Sequence, residues 1–432
     1  MSPTRQLDVY LHGHHAAIIT QTSRGIVLDY ERDYVEERSD WPLSYSLPMT
    51  TRRHAGPEVE AFLDNLLPDN GEVLREWARM YGARSTAPFD LLWHVGADCA
   101  GAATFFPRGT DPVSTGILSP IDEAAIAQRI RDLRDRPSSW AASASPGRFS
   151  LGGAQSKFAL ALTASGWAEP TGIHASTHIF KTGIPTMESS DVVEYLTMRV
   201  AHAVSPGISE LHPFVSEVHL LPFEDQHALV VERFDREILP DGAARVHTED
   251  ICQTLGLPSL RKYESDGGPG VAGTFGALDR LPSRPLADAS KRSLLQALVF
   301  NWVVGGTDAH AKNYAVFVGP DGRLAPLYDL TSYAPYTSSV AACTLPMRID
   351  GNTHFGDVMP LHWRALARDV GVDRRALMDL LDVLTAIVPA AWAAEMSTLD
   401  ESLLTPTVLE SAAVLTAWCD EVRDGLRRDA SA

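Results

Sequence analysis

The chain has 432 residues, 45% hydrophobic and 21% charged, an ordinary soluble globular composition that excludes disorder as its main state. At roughly 150 residues per domain, that length suffices for two or three domains, each burying its own core. With 37 Lys+Arg against 55 Asp+Glu, the net charge of -18 repels phosphate backbones, so nucleic acid binding by the chain alone is not expected, while a basic partner would be welcome.

The N-terminus, MSPTRQLDVYLHG, lacks the apolar core of a signal peptide. Residues 7 to 30 alternate apolar and polar around turn residues, which predicts short antiparallel strands joined by hairpins. His12, His14 and His15 fall on one of these turns and read as a solvated loop, because no acidic or Cys ligand adjoins them. Pro57 opens one helical pattern and EVLREWARMYG carries a second, stopped by Gly82. A small mixed domain should end near Pro107. Asp122 to Arg136 reads as an amphipathic helix, and the PSSWAASASPGR stretch after it as a flexible connection. KFALALT, THIFK, FVSEVHL and ALVVERF then predict a small sheet carrying one helix, Asp191 to Val204. After Phe234 the patterns are mostly helical. No apolar run reaches the ~18 to 20 residues of a membrane span, the best candidate being Ala297 to Val304, interrupted by Asn301. A cytoplasmic protein is expected. Cys99, Cys252, Cys343 and Cys419 are too far apart for a metal knuckle and read as four buried thiols.

The stretch carrying most chemistry is GGTDAHAKNYAVFV, followed by LAPLYDLTSY. Asp308 and Asn313 have the D-x-x-x-x-N spacing with which protein kinases place a proton-accepting Asp and a magnesium-holding Asn. The spacing alone is weak, but here it follows a buried apolar helix and precedes a strand. Asp329 answers it at the start of the next loop, as a second metal ligand would. A cation must oppose such a site, and Lys181 ends the strand THIFK where a kinase strand lysine would stand. Glu194, off the apolar stripe of the next helix, could hold it. In FSLGGAQSK, Gly152 and Gly153 form a tight turn whose N–H groups could approach phosphate oxygens, although a plain hairpin reads the same way.

FSLGGAQSKFAL, THIFK, VVERFDRE, DICQTLGLPSLRKYESDGGPG, GGTDAHAKN and LYDLTSY occur in the order found in the HipA family, the serine/threonine kinase toxins of bacterial toxin-antitoxin systems, and the chain resembles that family over nearly its whole length. LSYSLP, FLDNLLPDN and PFDLLWHVGADCAGA resemble its N-terminal subdomain. The resemblance implies an α+β, protein-kinase-like two-lobed fold. Residues 1-110 would form the extra N-terminal subdomain, 111-233 the β-rich N-lobe and 234-432 a helical C-lobe. It implies a phosphate loop of Gly152, Gly153, Ala154, Gln155, Ser156 and Lys157, an ATP lysine at Lys181 supported by Glu194, and a hinge of Glu232, Arg233 and Phe234 against adenine. Asp308 resembles the catalytic aspartate. His310, Lys312, Asn313, Tyr328 and Asp329 resemble the nucleotide loops, with Asn313 and Asp329 on Mg2+, and Ser150 matches an autophosphorylated serine. Ala309 stands where the best-known relatives have Gly, and the segment between Lys181 and Glu194 is shorter than in the longest ones. An ATP-dependent protein kinase acting on an aminoacyl-tRNA synthetase is the implied activity. A HipB-like helix-turn-helix antitoxin is the implied partner, with operator DNA reached only through it and no membrane involved. The N-terminal subdomain is dispensable to a kinase site, and its retention suits such a partner. A catalytically idle ATP-binding co-repressor and a small-molecule kinase are the alternatives.

Overall fold

The computed structural model describes residues 5–112, 116–138, 149–207, 214–239 and 242–430. Most of the predicted connection, residues 139–148, lies outside them. The fold is α+β, and the chain divides into a β-rich unit, residues 1–182, 219–260 and 316–322, and a helical unit made of the rest.

In the β-rich unit the first hairpins form as the alternation predicts. Arg5–Leu11, His14–Thr22 and Gly25–Tyr30 pair antiparallel in a five-stranded sheet that Ala103–Pro107 and Arg53–Ala55 complete at its edges. Pro57 opens the helix Pro57–Asp64, and Gly82 stops Gly71–Tyr81 in the left-handed conformation, φ 63°, which a residue without Cβ reaches most cheaply. A second sheet has the order Val218–Phe223, Gln226–Glu232, His178–Lys181, Lys157–Thr163, Gly166–Pro170, Leu118–Pro120. Helix Glu123–Asp135, whose first turn is capped by the Asp122 carboxylate on the Ala125 N–H, packs on strand Gln226–Glu232. One continuous core runs from Leu7 and Phe105 to Phe158, Phe180 and Val230. The two sheets therefore share one core across residue 110.

The helical unit holds Ser190–Val204, Arg284–Val303, Pro360–Val370, Arg374–Met396 and Pro406–Ala430. Ser190–Val204, expected on the N-lobe sheet, clusters here because it packs on Arg374–Met396. Arg374–Met396 corrects one sequence expectation, being long and apolar enough by length and composition to cross a membrane. In this fold its Leu377, Leu381, Leu384, Val388 and Trp392 form a buried stripe, and Trp392 Nε1 donates to Ser411 Oγ of the C-terminal helix at 2.9 Å.

Two side-chain expectations also change. Cys99, Cys252 and Cys419 are buried, but Cys343 is only half-buried, because it sits on a surface turn before the strand Thr344–Ile349. Of the histidine cluster, His14 is exposed, whereas His12 takes a left-handed φ of 50° and lays its ring against Trp41, 4.8 Å between centroids. Burial lowers its pKa.

Candidate active site

Each unit carries part of the predicted machinery. In the β-rich unit, strands Lys157–Thr163 and His178–Lys181 pair so that Lys181 lies directly opposite Lys157. Directly paired residues share a sheet face, and both side chains are buried. Two ammonium groups placed this way repel, so each needs a polar or anionic partner nearby. Lys157 Nζ donates to the Gly152 carbonyl at 2.6 Å, so the loop curls over the ammonium. Gly153 has φ 95°, a conformation that favours glycine, and a Cβ there would lie 2.8 Å from the movable Lys157 Nζ. Ala154 is exposed, Gln155 Nε2 donates to the Thr182 carbonyl at 3.0 Å, and Ser156 Oγ donates to the Pro137 carbonyl at 2.7 Å.

The N-terminal segment clasps this loop. Phe149–Ser150 pairs in parallel with Asp98–Cys99, the Asp69 N–H donates to the Gly153 carbonyl at 3.0 Å, and Ser150 Oγ donates to the Leu66 carbonyl at 2.7 Å. Ser150 is fully buried. The N-terminal segment, expected to be dispensable to a kinase site, thus touches the predicted phosphate loop at Gly153 and the strand before it at two further places.

At the predicted hinge, the Glu232 carboxylate is exposed and accepts from His219 Nε2 at 3.3 Å. Phe234 sets its ring edge-on to Phe317 at 6.1 Å. Arg233 departs from the predicted nucleotide role. Its guanidinium is buried against Asp235, Ser176 Oγ and the Cys99 carbonyl, its N–H donates to Thr177, and its carbonyl accepts from the Arg236 N–H. Those bonds give the side chain and both backbone groups a structural task. Nothing in the sequence distinguishes a strand-end arginine turned inward from one turned toward a ligand.

In the helical unit, helix Arg284–Val303 delivers the chain to the predicted catalytic loop through two glycines. Gly305 has φ 70°, and a Cβ on Gly306 would come within 2.6 Å of Asn301 Oδ1. Asp308 follows with its carboxylate half exposed. The loop closes on the Asp308 carbonyl, which accepts from the His310 N–H at 2.8 Å and from Asn313 Nδ2 at 2.7 Å. Tyr263 Oη donates to Asp308 Oδ1 and stacks edge-on against the buried His310 ring, 4.7 Å between centroids. Sequence reasoning missed Tyr263. It lies in the YESDGGPG signature, which marked the family without suggesting a role, and 45 residues separate it from Asp308. Ala309, in place of glycine, is not among the positive-φ residues, so its Cβ causes no backbone strain.

Lys312 is buried, and its carbonyl accepts from Tyr328 Oη at 2.9 Å, tying the predicted catalytic loop to the segment that carries Asp329. Asp329 itself has φ 53°, a left-handed conformation that costs a non-glycine residue about 1 kcal/mol or more and is concentrated at functional sites. Glu194 is buried on Ser190–Val204, a helix covered nearly all round rather than along one stripe. The short segment before it is pinned: Ser190 Oγ accepts from the Ile184 N–H at 2.6 Å, and the Glu188 carbonyl accepts from Tyr336 Oη at 2.9 Å.

Among the described residues, no group of three or more His, Cys, Asp or Glu could hold a metal by itself. Asn313, with Nδ2 committed to the loop, keeps an amide oxygen, and Asp329 supplies a carboxylate in chemical type. That donor set fits magnesium, which commonly takes one or two protein oxygens and fills its octahedron with water and phosphate oxygens.

Comparison with known proteins agrees across the whole chain. Residues 149–392 match the HipA-like C-terminal domain and residues 7–106 the HipA N-terminal domain. The protein Y4mE of Sinorhizobium fredii is 34% identical over 390 residues, covering 88% of this chain and 90% of that one. The serine/threonine-protein kinase toxin HipA of Shewanella oneidensis is 31% identical over 388 residues, covering 86% and 84%. Among solved structures, the S. oneidensis complex of HipA, HipB and operator DNA contains a chain matching with TM-score 0.80 at 28% identity, over 98% of both chains.

Proposed function

We propose a function from a plain premise: this chain belongs to the HipA family, and it acts as an ATP-dependent protein serine/threonine kinase, the toxin of a toxin-antitoxin pair. The observation that carries this reading is the Asp308 loop, in which an exposed carboxylate is oriented by Tyr263 while Asn313 locks the backbone beneath it. Asp308 accepts the proton of a substrate hydroxyl as that oxygen bonds to the γ-phosphorus and the bond to the ADP oxygen breaks. Lys157 and Lys181 bind and orient the triphosphate, and the Gly152 to Ser156 loop covers it. Glu232 and Phe234 meet adenine, and His310, Lys312 and Tyr328 keep the catalytic and metal loops in register. Asn313 and Asp329 would hold Mg2+, which when bound neutralises charge on the phosphates.

The substrate class implied by the family is an aminoacyl-tRNA synthetase. A HipB-like antitoxin, basic and DNA-binding, is the partner; it is supported by the complex that contains the structural relative and by the charge of -18 on this chain. Ser150 is the autophosphorylation site and an off-switch. A phosphate of roughly -1.5 to -2 charges cannot remain where the Ser150 hydroxyl is buried, so the loop leaves the position in which it would cover ATP.

One labelling experiment tests the set. Active protein with labelled ATP should mark a lysate protein and, when mixed with Asp308→Ala protein, mark Ser150 of the inactive chain. Asp308→Ala alone should lose at least ~100-fold in rate while keeping its fold, since an exposed loop carboxylate adds little to the core. Transfer to a metabolite alone identifies a small-molecule kinase, and no transfer at all supports the co-repressor reading.

A further inference from the structure

The helical unit contains a cavity of about 70 Å³ that phosphoryl transfer does not use, walled by Trp302, Trp363 and Trp418 and partly open at Glu421 and Arg428. The three indoles pack edge to face, Trp302 against Trp363 at 5.4 Å and against Trp418 at 5.2 Å. Trp418 Nε1 donates to the Trp302 carbonyl at 3.2 Å. The other two indoles differ. Trp302 and Trp363 are 4% and 1% exposed, and among the described residues neither Nε1 has an acceptor. A buried N–H without an acceptor costs stability, and native structures rarely leave two beside one cavity.

Gly425 supplies an independent observation. It lines the cavity from within the long C-terminal helix, where glycine is disfavoured. It is not among the positive-φ glycines, and a Cβ there would meet nothing within 4 Å. Neither conformation nor crowding calls for glycine at this position. What the missing side chain does is leave the wall open.

We propose that this pocket is a binding site for a small, mostly apolar molecule bearing a carbonyl or carboxylate oxygen, which accepts hydrogen bonds from the indole N–H groups of Trp302 and Trp363. The volume is about half of the ~150 Å³ apolar cavity that admits benzene, so a branched group of about three or four carbons fits inside and the remainder emerges at the mouth.

The test uses the full chain carrying ¹⁵N-labelled tryptophan, with isobutyramide as the probe. Saturable shifts of the Trp302 and Trp363 indole signals, assigned with Trp302→Phe and Trp363→Phe, are expected. Isobutylammonium, which has the same branched body but no acceptor, should bind at least about tenfold more weakly. Gly425→Leu fills the mouth, favours the helix and should abolish the shifts with the fold intact. Trp363→Phe keeps an aromatic wall, though a smaller one, and removes the donor, and should weaken isobutyramide binding while leaving Trp302 responsive. Indole signals that stay still throughout the titration identify a water-filled packing gap and overturn the proposal. Shifts unchanged in Gly425→Leu, or equal binding of isobutylammonium, overturn it as well.

Discussion

Tyr263 shows how one hydroxyl can set the aim of the carboxylate proposed as the catalytic base. Asp308 sits on an exposed loop where its side chain could rotate freely, and the bond from Tyr263 Oη selects one orientation. Tyr263→Phe should lower kcat by about tenfold with KM for ATP nearly unchanged, because it removes one hydrogen bond without touching the phosphate-binding lysines. A parallel rise in KM would give Tyr263 a nucleotide-binding role instead. Asp308, Asn313 and Asp329 stand out in the sequence because their spacing brackets a strand. Tyr263 does not, since contact across 45 residues depends on how the loops fold back. Arg233 is hard to read for a related reason: its neighbours VVERF specify a strand end, and the turn of its guanidinium toward Asp235 is completed by Ser176 Oγ and the Cys99 carbonyl, distant in sequence.

Among the elements, strand Asp98–Cys99 does more than its two residues suggest. Asp98 is buried with Asp235 among Arg233, Arg236 and Arg245, and Arg236 Nη2 donates to Asp98 Oδ1 at 3.0 Å. Burial by itself would raise both carboxyl pKa values. The surrounding guanidinium groups overcome it, holding Asp98 well below the usual range and Asp235 at about 2. Both groups are thus depressed relative to the unfolded chain, so their stabilisation is complete above about pH 4 and is lost as the pH falls through the folded values, toward 2 and lower. Asp98→Asn should cost about 3 to 5 kcal/mol at neutral pH, read from the denaturant midpoint, because it leaves buried guanidinium charge uncompensated. The gap to wild type should narrow on acidification below pH 4. A loss under 1 kcal/mol at pH 7 would mean that water reaches the cluster. Alternation and capping residues made the hairpins and helices legible here, whereas a two-residue parallel strand carries no periodicity to read.

For the whole molecule, the charge of -18 sets the terms of association. With a basic HipB-like dimer, affinity should fall by about tenfold or more as salt rises from roughly 0.1 to 0.5 M, measured by calorimetry. Salt-independent binding would place the contact on apolar surface instead. The two-unit plan was legible from the shift of strand patterns to helical ones. The shared core of the two sheets was not, because pairing order across a sheet leaves no mark on either strand alone. Nor could the sequence reveal that the N-terminal segment grips the loop meant for phosphate. If Ser150 is phosphorylated as proposed, that grip would act as a clock: the hydroxyl, buried and bonded to the Leu66 carbonyl, would be reached only when its strand peels from Asp98–Cys99, so the opening frequency would cap the rate of modification. Any change at Leu66, Asp69 or Asp98 that loosens the grip should then speed that modification without touching Asp308.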